Sequence, residues 1–337
     1  MNQFAILQAS EKIPYFEMTA TNRGISPEFV EKDFWVCWTL QQLFSLEDVG
    51  EHITFKGGTS LSKCYNAIQR FSEDIDIAIE RKYLEHDKNI EPSIGAGTKE
   101  NKRRIEELLA ASRTAIYTKI IPQLQQRMSS ILGDNGQWAI ILDPADPYKQ
   151  THLFMFPTAI AKSGPSVKIE LGFRADNWPF QSVQIFPYVA DVLRDPLAVG
   201  PATVRVLSAE RTFWEKTMIL HRIYHSPEDK DIGQRMSRHY YDLYEMGRVG
   251  IFEKALGMVD LLQSVVEFNR LFFKTSWLNY DEVKRGSFRL VPRNAEKIKS
   301  LSADYRQMQP MFFKSPPTFD QIIAGLQNME DRINKIP

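Results

Sequence analysis

The run Lys56-Gly57-Gly58-Thr59-Ser60, followed after a short spacer by Ser72-Glu73-Asp74-Ile75-Asp76, constrains this chain more than any other feature. Paired glycines let a backbone approach a ligand closely, and the Thr and Ser behind them offer hydroxyls and amides suited to phosphate oxygens. Alternate residues of a strand share a face, so Asp74 and Asp76 would stand side by side while Ile75, Ile77 and Ile79 turn into a core. Neighbouring carboxylates repel unless a cation lies between them. A hard divalent ion with oxygen ligands, Mg²⁺ above all, answers that need beside phosphates. The pattern predicts a metal-assisted nucleotide site.

A length of 337 residues suggests two domains, or one with a large helical extension. Lys plus Arg and Asp plus Glu both number 42, so net charge makes no global case for nucleic acid, and any such contact needs a local basic patch. No apolar run approaches the length of a membrane span and no basic leader precedes an apolar signal core, so no membrane partner and a cytoplasmic location are expected. Cys37 and Cys64 sit in apolar helical contexts and read as reduced core thiols.

Ser26-Pro27-Glu28 is a helix start, with a capping hydroxyl, proline in the first turn and an acid beside it, and the helix runs to about Phe44. Ile53 and Phe55 mark a short strand, Leu61 to Ile68 a helix, and Asp74 to Ile79 the next strand. His86 to Thr98 reads as a loop, and Asn101 to Met128 as a long amphipathic helix interrupted near Pro122. Strands are expected at 138–142, 152–156, 167–174 and 183–188, with connections short enough for antiparallel neighbours. From Ser208 the pattern is helical, and Thr318 to Gln321 is a capping box opening the last helix. The composition shift near Val206 divides residues 1–205 from a helical C-terminal domain, 206–337.

A glycine pair with Ser or Thr, a helical spacer and Asp-x-Asp on a strand resembles the nucleotidyltransferase superfamily that includes DNA polymerase beta. The stretches from Lys56 to Lys63 and from Arg70 to Asp76 more narrowly resemble the AbiEii/AbiGii toxin family. Glu31-Lys32-Asp33-Phe34-Trp35, the run Glu210 to Lys216, and Asp304-Tyr305 with Met311-Phe312-Phe313 fit it too, so the resemblance spans about Glu31 to Phe319. It implies an α+β fold: a polymerase-beta-like nucleotidyltransferase core with a mixed, largely antiparallel sheet, then a helical C-terminal domain.

On the strand around Glu170, Val167, Ile169, Leu171 and Phe173 face a core, and Lys168, Glu170 and Arg174 read by themselves as a solvated row. Gly172 leaves room above the sheet, and the resemblance makes Glu170 the third metal-side acid. It also implies two Mg²⁺ ions (Mn²⁺ the alternative) held by Asp74, Asp76 and Glu170, with Gly57, Gly58, Thr59 and Ser60 cradling phosphate oxygens. Lys216 shares a helical stripe with Thr212, Leu220 and Ile223, where a lysine snorkels or aims inward at an anion; the resemblance selects a triphosphate contact. Arg211 assists there or pairs with Glu215 one turn on. Asp242 is the carried-over acid of an Asp-x-x-Asp motif whose first position is here His239, a departure.

Lys284, Arg285, Arg289, Arg293, Lys297, Lys299 and Arg306, interleaved with Phe288 and Tyr305, read equally as a solvated face and as an RNA-backbone contact. The resemblance implies transfer of a nucleoside monophosphate from an NTP to RNA, at a tRNA 3′ end. The biology it implies is that of a growth-inhibiting toxin, in a toxin–antitoxin or phage-defence system, whose antitoxin is encoded separately. Transfer to a small hydroxyl compound such as an antibiotic, or a catalytically silent nucleotide-binding module, are the competing expectations.

Overall fold

Period-two apolar patterning and one unusually apolar helix organise the N-terminal part of the protein. The computed structural model describes residues 1–85, 90–160, 165–193, 199–284 and 286–335. These form two compact units, Met1–Cys64 with Phe71–Glu91 and Thr98–Leu207, and Tyr65–Arg70 with Pro92–Gly97 and Ser208–Pro337.

The first unit carries helices α1 (Asn2–Ala5), α2 (Ala9–Arg23), α3 (Pro27–Phe44), α4 (Gly57–Lys63), α5 (Arg81–Glu85), α6 (Thr98–Ala115) and α7 (Ile121–Leu132). Its strands are β1 (Ile53–Lys56), β2 (Ile75–Ile79), β3 (Ala139–Leu142), β4 (Thr151–Met155), β5 (Ser166–Gly172), β6 (Phe180–Ile185) and β7 (Ala202–Leu207). They form one sheet in the order β3-β4-β5-β2-β1-β7-β6. Pairing is antiparallel except between β2 and β5 and between β1 and β7. The fold is thus α+β with a mixed, largely antiparallel sheet, as expected.

Ser26 caps α3, its hydroxyl accepting from the Phe29 amide at 3.4 Å. Apolar residues surround the helix instead of forming one stripe, because it is enclosed in the core. Phe34, Trp35 and Trp38 are fully buried, and Trp35 and Trp38 pack against Phe154 of β4.

Three expectations need correction. The helix anticipated at 61–68 begins at Gly57 and ends at Lys63, before a turn whose Asn66 has φ +49. The long helix is two α-helices joined by a π-helical turn over Ile116–Ile120, which accommodates Pro122 in the first turn of α7. Strand β7 was not anticipated, although the alternation Ala202, Val204, Val206 was its signal. Of the loop expected at 86–98, residues 86–89 lie outside the described residues.

The second unit holds α8 (Ala209–His225), α9 (Ser237–Arg248), α10 (Ile251–Leu256), α11 (Val259–Phe272), α12 (Ala295–Gln307) and α13 (Phe319–Lys335). Ser208 caps α8 through the Arg211 amide at 3.1 Å. The predicted capping box forms at α13, with the Thr318 amide donating to Gln321 Oε1 at 2.8 Å and the Gln321 amide to Thr318 Oγ1 at 3.2 Å. No helix among the described residues is long and apolar enough to cross a membrane.

Candidate active site

At the end of β1 the chain turns sharply into α4, and Gly57 takes φ +78 to make the turn. A β-carbon built on Gly57 would stand 2.7 Å from Asp76 Cγ, so glycine is required both by the backbone angle and by the carboxylate above it. Asp76 lies opposite Lys56 on β1 and opposite Glu170 on β5. Register partners share a sheet face, so Lys56, Asp76 and Glu170 stand in a row across three adjacent strands. The opposite face is core: Ile75, Ile77, Val167, Ile169 and Leu171 are buried. Asp74 precedes the first residue of β2, where the sequence reading had placed it inside the strand.

A second cation, Lys168, adjoins the row. Lys168 Nζ lies 2.7 Å from Glu170 Oε1, in a half-exposed ion pair. Burial lowers the Lys168 ammonium, but Glu170, then Asp74 and Asp143, outweigh it and raise the group above its ordinary value. Asp143 is a neighbour that strand periodicity did not single out. Among the described residues, no three or more His, Cys, Asp or Glu side chains form a closed metal-ligand cluster. Asp76 and Glu170 are therefore in register on one face with Asp74 just ahead of β2, and the three are not gathered into a shell. Their chemistry still suits a hard divalent cation, since every donor is a carboxylate oxygen and the surrounding field attracts positive charge.

Thr59 and Ser60 are buried. The Ser60 hydroxyl donates to the Gly57 carbonyl at 2.9 Å and the Thr59 hydroxyl to Ser72 Oγ at 3.0 Å. Both hydroxyls tie the turn together, which leaves backbone amides as what it offers a ligand.

In the helical unit, Asp242 on α9 is fully buried and receives two cations. Arg70 donates from Nε to Oδ1 at 2.7 Å and from Nη2 to Oδ2 at 2.9 Å, while Lys216 Nζ donates to Oδ2 at 2.8 Å. Burial pushes the Asp242 carboxyl up, yet Arg70 and then Lys216 bring it far below the usual carboxylate range. Lys216 is lowered, chiefly by burial, with Asp242 opposing. His239 lies 3.4 Å from Lys216 Nζ through Nδ1, and burial with the charges of Lys216 and Arg238 holds it well below the ordinary imidazole value. Lys216 is therefore neither snorkelling nor unpaired. Arg70 escaped the sequence reading, although it opens the Arg-Phe-Ser-Glu-Asp string. Arg211 is fully buried on another side of α8, bound to Glu215 Oε1 at 3.2 Å and to Ser264 Oγ at 3.4 Å.

The expected basic stretch is uneven. Lys297 is buried and donates to the carbonyls of Ser226 and Pro227 at 2.7 and 2.9 Å, closing the end of α8. Lys284, Arg293, Lys299 and Arg306 are exposed, Arg289 is half-buried, and Arg285 lies outside the described residues.

Residues 38–325 match the model of the family described as "Nucleotidyl transferase AbiEii toxin, Type IV TA system". The matched span includes the glycine turn, Asp74, Asp76, Glu170, Lys216 and Asp242. The chain belongs to the AbiEii family. It is accordingly a nucleotidyltransferase, a toxin of the type IV toxin–antitoxin class, with an NTP as substrate and an antitoxin as its separate partner. AbiEii-family enzymes generally use a divalent metal. No curated protein matches the sequence. Among solved structures it is similar to JHP933 from Helicobacter pylori, at 12% identity and TM-score 0.43 over 92% of this chain and 94% of that one. It is also similar to MenT4, a nucleotidyltransferase toxin from Mycobacterium tuberculosis, at 14% identity and TM-score 0.35 over 98% of this chain and all, 100%, of that one.

Proposed function

We propose that this AbiEii-family toxin is a Mg²⁺-dependent enzyme that transfers a nucleoside monophosphate from an NTP to RNA, at a tRNA 3′ end, in the cytoplasm. An acceptor hydroxyl oxygen attacks the α-phosphorus and gives up its proton to water, the bond to the bridging α–β oxygen breaks, and pyrophosphate leaves with that oxygen. Asp74, Asp76 and Glu170 would hold the metal, which when bound supplies positive charge for the triphosphate and the acceptor oxygen. The amides of Gly57, Gly58, Thr59 and Ser60 meet phosphate oxygens. By family resemblance, Lys216 with Asp242 supports the triphosphate. The resemblance implies a nucleotide contact for Arg211 as well, but its burial against Glu215 and Ser264 favours a structural part instead. Growth inhibition follows from altering RNA ends, in toxin–antitoxin or phage-defence settings.

The observation that carries this reading is the glycine at position 57, whose missing side chain makes room for Asp76 in a row with Glu170. Incubating the protein with each α-labelled NTP, Mg²⁺ and total RNA, then sequencing the labelled ends, tests both transfer and acceptor. Label is expected on one class of RNA ends and absent with Asp76→Asn. Label that stays acid-soluble, on a small hydroxyl compound, would refute the RNA acceptor. Undiminished labelling by Asp76→Asn would refute the site.

A further inference from the structure

The two aspartates of the proposed site are held in different ways. Asp76 lies in β2 and is paired through the backbone on both sides, to β1 and to β5. Asp74 belongs to the segment Phe71–Asp74, which has no ladder of its own before β2 begins at Ile75. A carboxylate on such a segment needs side-chain contacts to fix it.

Helix α3 supplies two that hold the segment, at Phe71 and Glu73. Phe29 stacks on Phe71 with ring centroids 4.2 Å apart and planes 19° from parallel. Lys32 Nζ lies 2.8 Å from Glu73 Oε2, and Glu73 is the residue immediately before Asp74. Phe29 and Lys32 are three apart on a helix and so share a face. Ser72, between these two anchored residues, accepts the Thr59 hydroxyl at 3.0 Å. The helix providing the face is itself fixed. Asp33, buried, accepts from Lys63 of α4 at 2.7 Å and from the Tyr188 amide at 2.6 Å. Glu31, also buried, accepts from the Thr158 hydroxyl at 2.8 Å. Three consecutive charged residues of α3 thus grip four different segments, and the middle one ends on Glu73, the residue before Asp74.

We propose that Phe29 and Lys32 are positioning residues for nucleotidyl transfer, setting the place of Asp74 through Phe71 and Glu73 without touching substrate. The proposal rests on Asp74 being a metal-side acid. A partly exposed ion pair adds little to stability. An outer-shell partner of a metal ligand nevertheless commonly changes metal affinity or activity by about 10–100-fold. The two effects are therefore separable.

The test compares Lys32→Gln, Phe29→Leu, the exchange Lys32→Glu with Glu73→Lys, and Asp74→Asn in the full chain. Mn²⁺ binding by electron paramagnetic resonance, amide exchange over residues 72–79, melting temperature, and Mg²⁺-dependent NTP labelling of total RNA are read. Lys32→Gln should weaken Mn²⁺ binding and raise the Mg²⁺ needed for half-maximal transfer by about 10-fold. Exchange should accelerate at Ser72–Asp74 but not along β2, with melting hardly moved, and Phe29→Leu should act in the same direction. The exchanged pair should recover most of the Mn²⁺ affinity. Wild-type Mn²⁺ binding and exchange in Lys32→Gln, with Asp74→Asn inactive, overturns the positioning role and leaves the site standing. Failure of the exchanged pair to recover affinity overturns it equally. Undiminished transfer and Mn²⁺ binding in Asp74→Asn removes the metal-site reading and this inference with it.

Discussion

The carboxylate of Asp76 lies where a side chain at position 57 would begin: a β-carbon there would meet Asp76 Cγ at 2.7 Å. Gly57→Ala therefore faces two costs, the clash and the strain of φ +78, which for an L-residue is about 1–2 kcal/mol. Relief requires Asp76 to swing away, so transfer should fall by at least ~10²-fold, in the range seen when preorganised charge stabilisation is lost. Gly172→Ala is the matched control, because nothing lies within 4 Å of the added carbon on the strand that carries Glu170. Melting curves and RNA-labelling rates for the two variants check this. Equal activity in both would disconnect the glycine turn from the chemistry.

The asymmetry at Asp74 and Asp76 gives a second expectation. Both side chains leave the isoleucine core, so Asp74→Ala and Asp76→Ala should fold with melting temperatures close to wild type. Each should lose transfer by about 10²-fold or more, since a lost metal ligand removes charge stabilisation at the reacting phosphate. Near-wild-type labelling by both variants would withdraw the metal assignment.

What the sequence made legible was local. The glycine turn, the Ser26 cap and the Thr318 capping box each depend on residues within a few positions of one another, and such signals survive without tertiary context. Strand alternation likewise put Glu170 on the outward face. That Glu170 stands directly opposite Asp76 could not be read, because β2 and β5 are joined only through long intervening chain. The early end of α4 was hidden for a related reason: Cys64, Tyr65 and Ile68 continue an apolar stripe, but the chain leaves the helix at Cys64. Lys216 was read as snorkelling or phosphate-bound because its partner could not be seen; Asp242 is 26 positions on, and Arg70, which shares Asp242, is 172 positions before it.

Lowering the pH should destabilise the protein through His221. This buried imidazole accepts the Arg289 amide on Nδ1 at 3.0 Å, and burial, then His225, push it down to about 4. Its folded value lies below the unfolded one, so below about pH 6.5 the unfolded chain takes up the proton first. Stability from this group is complete above about pH 6.5 and is lost as the pH falls towards the folded value, about 2 kcal/mol by about pH 5. His221→Asn, which can still accept from Arg289, should show a flatter melting-temperature profile between about pH 7 and about pH 5. An unchanged slope would assign the acid sensitivity to other groups.

The basic stretch should divide in two when tested. Lys297→Ala removes three donated hydrogen bonds at the end of α8 and should lower the melting temperature. Replacing exposed Lys284, Arg293, Lys299 and Arg306 by Ala should leave melting alone. If these residues meet an RNA backbone, the log–log salt dependence of binding falls by about 0.7–0.9 per lost phosphate contact. Titration at several salt concentrations decides; an unaltered slope makes them a solvated face.

The buried group of Arg70, Lys216 and Asp242 contains two cations and one anion, and this imbalance orders its mutants. Asp242→Asn keeps the shape but leaves both cations buried against a neutral amide, at a cost of about 3–5 kcal/mol. Lys216→Met leaves a bidentate Arg70–Asp242 pair in charge balance, and it removes an ammonium that burial already disfavours. Its stability cost should stay below about 1–2 kcal/mol, because no uncompensated buried charge remains. If Lys216 also supports the triphosphate, the Met variant folds well, transfers slowly, and loses affinity for NTP more than for the NMP that lacks the outer phosphates. Lys216→Arg keeps the charge with a different donor geometry, so partial recovery of transfer is expected. Urea unfolding of the three variants tests the charge argument, and nucleotide titration tests the phosphate role. Asp242→Asn as stable as Lys216→Met would contradict the first, and full turnover in Lys216→Met would confine that lysine to holding the helices together.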